Sequence, residues 1–438
     1  MTKYLLISAI IAAMGGFLNG YDTGVISGAI LFIEKSFQIT PAQLGLLVSS
    51  ISFGAVIGAF LNGFIIDRIG RKNTILLSAL FFFIGSILCF LSKNINMLIF
   101  SRVFTGIAVG VVSFAVPLYL SEISSKENRG KIVSFFQVAI TLGILGAYFT
   151  NYCLSGFNDN WRFMLLFGAI PALILLLGFL FQKDTPRWLI LKNRKEEAVK
   201  ILEKLHNKPS ENEIKEIEST VQNNDKIKFS KKLIKPFVIG IGMMFVQICT
   251  GINAIIYFTP TIFKHVGFDS DSNALFITIF IGVINFLMTF VAVAFVDKLG
   301  RKPLLYIGLS GMIMSLAVLS LSFNYNTEFI KYFAVGACCI YIISFSMSLG
   351  PIALLLISEV FPLKFRGQAM SIAIIFNFIF NFITTGLFPI FMDKFGGFIT
   401  FNIFNLICIL SIIFIFTTVP ETKGISLEEL EKKYPTID

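Results

Sequence analysis

Long apolar runs divided by short charged stretches make up most of the chain. A helix needs about 20 apolar residues to cross a bilayer. Twelve runs reach that length, at 4–33, 44–66, 74–92, 97–121, 131–155, 162–182, 233–263, 272–296, 303–323, 331–361, 367–391 and 397–419. The pattern predicts an all-α membrane protein with twelve transmembrane helices. Its first run is too long, and too rich in later glycines, for a cleaved signal peptide. Only 183–235 interrupts the pattern at length, and there Ala198–Leu205 is amphipathic, which predicts short surface helices.

Polar residues inside the runs mark the chemistry. The seventh run carries Gln247, Asn253 and Tyr257, spaced to fall in one broad helical sector. Gly251 and Pro260 loosen the helix around them, which is tolerated where protein or water re-satisfies the backbone. These groups read as a substrate site, against the plainer role of hydrogen bonds to a neighbouring helix. In the first run Asp22 lies about 11 residues, or 16 Å, from the outer end. A lone carboxylate at that depth costs at least ~2.5 kcal/mol on insertion scales. The fourth run, running the other way, carries Arg102 at matching depth, with Gly106 and Gly110 to admit a close neighbour. Asp22 and Arg102 are therefore expected to pair. The pair either holds two helices permanently or is broken when the carboxylate takes a proton, since arginine stays charged.

An internal repeat organises the whole. Asp67-Arg68-Ile69-Gly70-Arg71-Lys72 follows the second run, and Asp297-Lys298-Leu299-Gly300-Arg301-Lys302 follows the eighth. Glu122 with Arg129 and Gly130 closes the fourth run; Glu359 with Arg366 and Gly367 closes the tenth. Asp184-Thr185 follows the sixth and Glu421-Thr422 the twelfth. Two six-helix, pseudo-symmetric halves of like orientation are expected, with the substrate between them near the midplane. The expected domains are 1–182, a cytoplasmic linker at 183–232, 233–419, and a tail at 420–438. Asp67, Arg71, Glu122, Arg129, Asp297, Arg301, Glu359 and Arg366 form repeated acid–base sets at helix ends. They read as cytoplasmic latches that form and break. Asp22 and Asn253 occupy matching places in the halves, one titratable and one neutral, which suits a coupling site beside a recognition site.

Composition narrows the class further. At 438 residues, 55% hydrophobic and 14% charged, with mean hydropathy +0.82, the chain has too little polar surface for a soluble domain. Its net charge of +10 is explained by placement rather than by nucleic acid. With the N-terminus inside, all but seven of the 36 Lys and Arg fall on the cytoplasmic side; the exceptions are Lys35, Lys93, Arg102, Arg162, Lys264, Lys331 and Lys394. That is the positive-inside rule, and it predicts two cytoplasmic termini. The six cysteines lie in apolar runs without metal-ligand spacing and read as reduced packing residues. Two histidines, His206 and His265, make a histidine-based metal or catalytic centre an unpromising reading. No Asn-X-Ser/Thr sequon is present, which favours a bacterial inner membrane. No cofactor, metal, nucleotide or nucleic-acid partner is expected, nor an enzyme, since no nucleophile–base pair or metal cluster is apparent.

Nine motifs in order resemble the sugar porters of the major facilitator superfamily, bacterial sugar–proton symporters above all. They are Gly20 to Gly28, Asp67 to Lys72, Pro117 through Gly130, and Thr185 to Leu189. The second half adds Gln247 to Tyr257, Asp297 to Lys302, Gly350-Pro351, Glu359 to Gly367, and Pro420 to Gly424. The resemblance implies an alternating-access carrier for monosaccharides, a hexose or a pentose, or similar polyols, taken with a proton through the bilayer; a monomer is expected. It implies hydroxyl binding by Gln137, Gln247, Asn253, Asn285 and Asn377, an apolar ring face from Phe345, an outer gate at Tyr257, and proton coupling at Asp22 and Arg102. The departures are Ile248 for the family's second glutamine, Leu354 and Phe378 for its tryptophans, and Asn19 for a frequent aromatic. They make the pocket less aromatic and leave the particular sugar or polyol open. A facilitator of the same fold is the alternative, since facilitative members tend to have a neutral residue in place of Asp22. A nutrient sensor on the same scaffold is a further one, disfavoured by the short tail.

Overall fold

A computed structural model describes residues 2–125, 128–206, 214, 233–268, 270–325, 329–361 and 366–423, without the side chains of 293, 294, 296–298 and 366. Every described element is a helix. In order they are α1 (Lys3–Phe37), α2 (Pro41–Ile69), α3 (Arg71–Phe90), α4 (Ile95–Ile123), α5 (Arg129–Leu154), α6 (Asn160–Leu166), α7 (Ala169–Phe181), α8 (Pro186–Leu191) and α9 (Lys195–His206). The second repeat supplies α10 (Ile234–Cys249), α11 (Ile252–His265), α12 (Asp271–Leu299), α13 (Arg301–Leu321), α14 (Ile330–Met347), α15 (Leu349–Val360) and α16 (Arg366–Thr418).

Among the described residues, eleven helical stretches are long and apolar enough to cross a membrane. The last is two crossings run together, because Gly396 within α16 has a non-helical backbone (φ 74°, ψ 170°). The twelve expected runs are thus all helical. Three are broken. α6 and α7 form the sixth crossing, divided at Phe167–Gly168. α10 and α11 form the seventh, divided where Gly251 adopts φ +102°. α14 and α15 form the tenth, divided at Ser348 (φ −122°, ψ −90°). Pro260 was expected to loosen the seventh run along with Gly251, yet it lies inside a continuous α11. The amphipathic run of the linker is α9, whose Ala198, Ile201, Leu202 and Leu205 are buried. The expected cysteine packing fails at Cys153, which is exposed on α5; Cys89, Cys249, Cys338 and Cys408 are buried.

Contacts sort the described residues of 1–22, 53–144 and 165–226 into one compact unit and those of 23–52, 145–164 and 227–438 into another. This partition cuts across the two sequence repeats. Residues 23–37 of α1, 41–52 of α2 and 145–154 of α5 pack with second-repeat helices inside the second unit. Close backbone approach is the reason. A Cβ on Gly45 of α2 would lie 2.1 Å from the Gly386 carbonyl oxygen of α16. Tyr152 of α5 packs on Phe276 of α12 at 5.5 Å between ring centroids. Lys35 at the end of α1 pairs with Asp271, whose other oxygen accepts from Lys264 at 2.6 Å.

Candidate functional site

In the first unit the site begins with glycine. A Cβ on Gly20 would sit 1.8 Å from the Ile140 oxygen of α5, and one on Gly143 2.3 Å from the Phe17 oxygen. α1 and α5 therefore touch backbone to backbone. Two residues beyond Gly20, Asp22 Oδ1 accepts from Arg102 Nη1 at 2.6 Å. The side chains are 6% and 1% exposed. Asp22 Oδ2 and Arg102 Nε and Nη2 are buried and make no hydrogen bond to a described residue. The expected pair is formed, by one hydrogen bond. Gly106 and Gly110 do admit a close neighbour, but it is α2: a Cβ on Gly110 would meet the Ala55 oxygen at 2.1 Å.

In the second unit the amides gather around broken helices. Gln247, near the end of α10, donates from Nε2 to the Leu349 and Gly350 carbonyls, both at 3.2 Å, just past the Ser348 break. Its Oε1 accepts from Asn377 Nδ2 on α16 at 3.0 Å. Asn285 Oδ1 on α12 accepts from Ser346 Oγ on α14 at 2.9 Å, beside half-buried Phe345. Tyr257 OH accepts from Asn381 Nδ2 at 3.4 Å. Asn253 is half-buried. Gln137 belongs to the first unit, with an exposed side chain. Asn381 and Ser346 were absent from the sequence-derived set. Asn381 carried a readable signal, standing one helical turn past Asn377. A serine in an apolar run carries none.

The charged loops repeat in space as they do in sequence. Arg71 Nε and Nη2 donate to the two Glu122 oxygens at 2.9 and 3.0 Å, and Nη1 donates to Asp67 at 2.9 Å. Asp184 accepts from the Arg71 and Lys72 backbone N–H groups at 3.0 and 3.3 Å, so a carboxylate closes the N-terminus of α3. Thr185 Oγ1 donates to Glu122 at 2.6 Å. In the second repeat Arg301 Nη2 donates to Glu359 at 2.8 Å, and Thr422 Oγ1 donates to the other Glu359 oxygen. Glu421 accepts from the N–H groups of Arg301 and Lys302 at 3.1 and 2.9 Å, closing α13. Gly70 (φ +92°) and Gly300 (φ +95°) make both turns possible. The two clusters thus include Asp184, Thr185, Glu421 and Thr422, whose repetition was visible in sequence. Arg129 stands exposed at the start of α5. The side chains of Asp297 and Arg366 lie outside the described residues.

The two clusters are not electrostatically alike. Burial pushes the Asp184 carboxyl above its ordinary value despite its backbone donors. At Glu421 burial acts the same way, but N–H donors from Lys423, Lys302, Arg301 and Thr422 outweigh it and hold the carboxyl below its ordinary value. The tail residue is less enclosed, so its donors are opposed by a smaller desolvation penalty.

Twelve crossings in two like-oriented repeats, with polar groups gathered at broken helices, define a transporter of the major facilitator fold. The profile of the family described as sugar (and other) transporters matches residues 8–434. A D-xylose transporter of Levilactobacillus brevis is 40% identical over 96% of this chain and 93% of its own. The galactose-proton symporter of Escherichia coli K12 is 36% identical over 96% of this chain and 92% of its own. Among solved structures, the partially occluded inward-open form of the E. coli xylose transporter XylE superposes with a TM-score of 0.86. It is 30% identical, over 97% of this chain and all of the other. The chain belongs to the sugar transporter family and is a multi-pass integral membrane protein.

Proposed function

We propose that this protein is a proton-coupled symporter of a monosaccharide in a bacterial inner membrane, with both termini cytoplasmic. The observation that carries the reading is the buried Asp22–Arg102 pair. It is joined by one hydrogen bond, and one carboxylate oxygen and two N–H groups are left over for water and a proton. A clamp built for stability alone would satisfy all of these atoms, because an unmet polar group in low dielectric costs about 1–3 kcal/mol. Protonation of Asp22 neutralises the carboxylate and releases Arg102, loosening α1 from α4. Gln247, Asn377, Asn285, Asn253 and Asn381 supply donors and acceptors suited to sugar hydroxyls, and Phe345 offers a face to the C–H side of a ring. The Gln247 amide nitrogen donates to two carbonyls of α15 and its oxygen accepts from Asn377 in this conformation, so a hydroxyl must compete for its N–H groups. The same exchange would report occupancy to the Ser348 break. Sugar and proton are its expected partners; it acts without a cofactor, as a carrier rather than an enzyme.

The test is uptake of labelled xylose, galactose, glucose and arabinose into proteoliposomes, with and without an inward proton gradient. Concentrative uptake under the gradient alone is expected for at least one sugar. Uptake that only equilibrates in both conditions would make the protein a facilitator, with Asp22–Arg102 a permanent helix clamp.

A further inference from the structure

Pro260 has no N–H, so within α11 the carbonyl four residues earlier, that of Ile256, loses its helical donor. α11 nevertheless continues without a break to His265. The missing donor comes from elsewhere in the chain: Tyr148 OH on α5 donates to the Ile256 oxygen at 3.0 Å. Tyr148 is 2% exposed and Ile256 7%, so water does not offer an easy substitute. The ring is seated by an absent side chain, since a Cβ on Gly282 of α12 would meet Tyr148 Cδ2 at 2.8 Å. Tyr148 belongs to the first sequence repeat; Ile256, Pro260 and Gly282 belong to the second.

We infer that Tyr148 is a positioning residue of the carrier, whose hydroxyl replaces the hydrogen bond that Pro260 removes and so fixes α11 against α5. α11 carries Asn253 and Tyr257, the latter adjacent to Ile256. Holding that carbonyl therefore sets the rotation at which both side chains meet the site. The proline has a consequence here that alanine would not: it makes the order of α11 depend on a group from the other repeat. If α5 and α11 part during transport, the Ile256 carbonyl is left bare. The bond therefore favours the arrangement in which these two elements are together.

The experiment is amide hydrogen exchange across 252–265 in the purified full chain, which requires no transported sugar and so stands apart from the symport reading. Tyr148→Phe keeps the ring and removes only the hydroxyl. It is expected to speed exchange in this segment about tenfold, the scale of one lost buried hydrogen bond. Pro260→Ala restores an N–H aimed at Ile256, so in that background Tyr148→Phe should change exchange less than about twofold. Tyr152→Phe, one turn along α5, is the control and should leave the segment unaltered. Equal acceleration by Tyr148→Phe in both backgrounds would show that the hydroxyl does not act by replacing the donor Pro260 removes, overturning the inference. So would no acceleration at all. If Pro260→Ala does not fold, the comparison of Tyr148→Phe with Tyr152→Phe decides, and equal effects of the two reject it.

Discussion

On the proposed reading, Asp22 is the residue on which the energetics of transport turn. It occupies one side of a buried pair whose remaining atoms lack described partners. Replacing it with asparagine keeps its shape and a carbonyl for Arg102 but removes the titration. Asp22→Asn is therefore expected to abolish concentrative uptake while sustaining sugar exchange between equilibrated compartments. Accumulation equal to wild type in that variant would remove Asp22 from the coupling step. A second prediction concerns backbone freedom. Gly70 has φ +92°, and a Cβ there would lie 2.0 Å from Asp184 Oδ2. Gly70→Ala should destabilise the protein by at least ~1 kcal/mol through strain alone, and more through displacement of the carboxylate. A melting temperature unchanged from wild type would contradict this. Both residues were legible beforehand, Asp22 as a carboxylate in an apolar run and Gly70 as part of a repeated loop. What sequence could not show at this scale was that Asp184 sits above Gly70, because 114 positions separate them.

At the scale of elements, the carboxylates that close α3 and α13 differ in a way that pH should expose. Glu421 is held below its ordinary value once its N–H donors outweigh burial. Its contribution to stability is therefore present above the unfolded value and lost as pH falls through the lowered native one. Asp184 is pushed up by burial, so its titration acts in the opposite sense, and the folded state takes up its proton earlier as pH falls. Glu421→Gln should accordingly lower the melting temperature at pH 7 more than Asp184→Asn does, and the gap should narrow on acidification. A larger loss from Asp184→Asn at pH 7 would reverse this assignment. The breaks in the seventh and tenth crossings were half legible. Gly251 signalled its own break. Pro260 signalled another, which did not occur because Tyr148 supplies the missing donor. A proline reports what its own helix lacks, and only packing reports what a neighbour provides.

For the whole molecule, the second unit shows how α2 and α16 meet, with Gly45 against the Gly386 oxygen. A large side chain at position 45 cannot occupy that space. Gly45→Trp is expected to stop net uptake while sugar still binds the purified protein, because the two helices can no longer close there. Transport at the wild-type rate in that variant would show that this approach is not part of the cycle.

Order along the chain was enough for the all-helical class, the count of crossings, the repeat, the Asp22–Arg102 pairing and most of the amides. These follow from hydropathy and from the cost of polar groups in an apolar medium, and both are local properties. Tertiary structure alone decided which side chains share hydrogen bonds: Gln247 with α15, Asn381 with Tyr257, Asp184 and Glu421 with distant helix ends, and Tyr148 with a proline's orphaned carbonyl. The physical reason is that a buried donor or acceptor must find a partner somewhere, while nothing along the chain specifies how far away that partner lies.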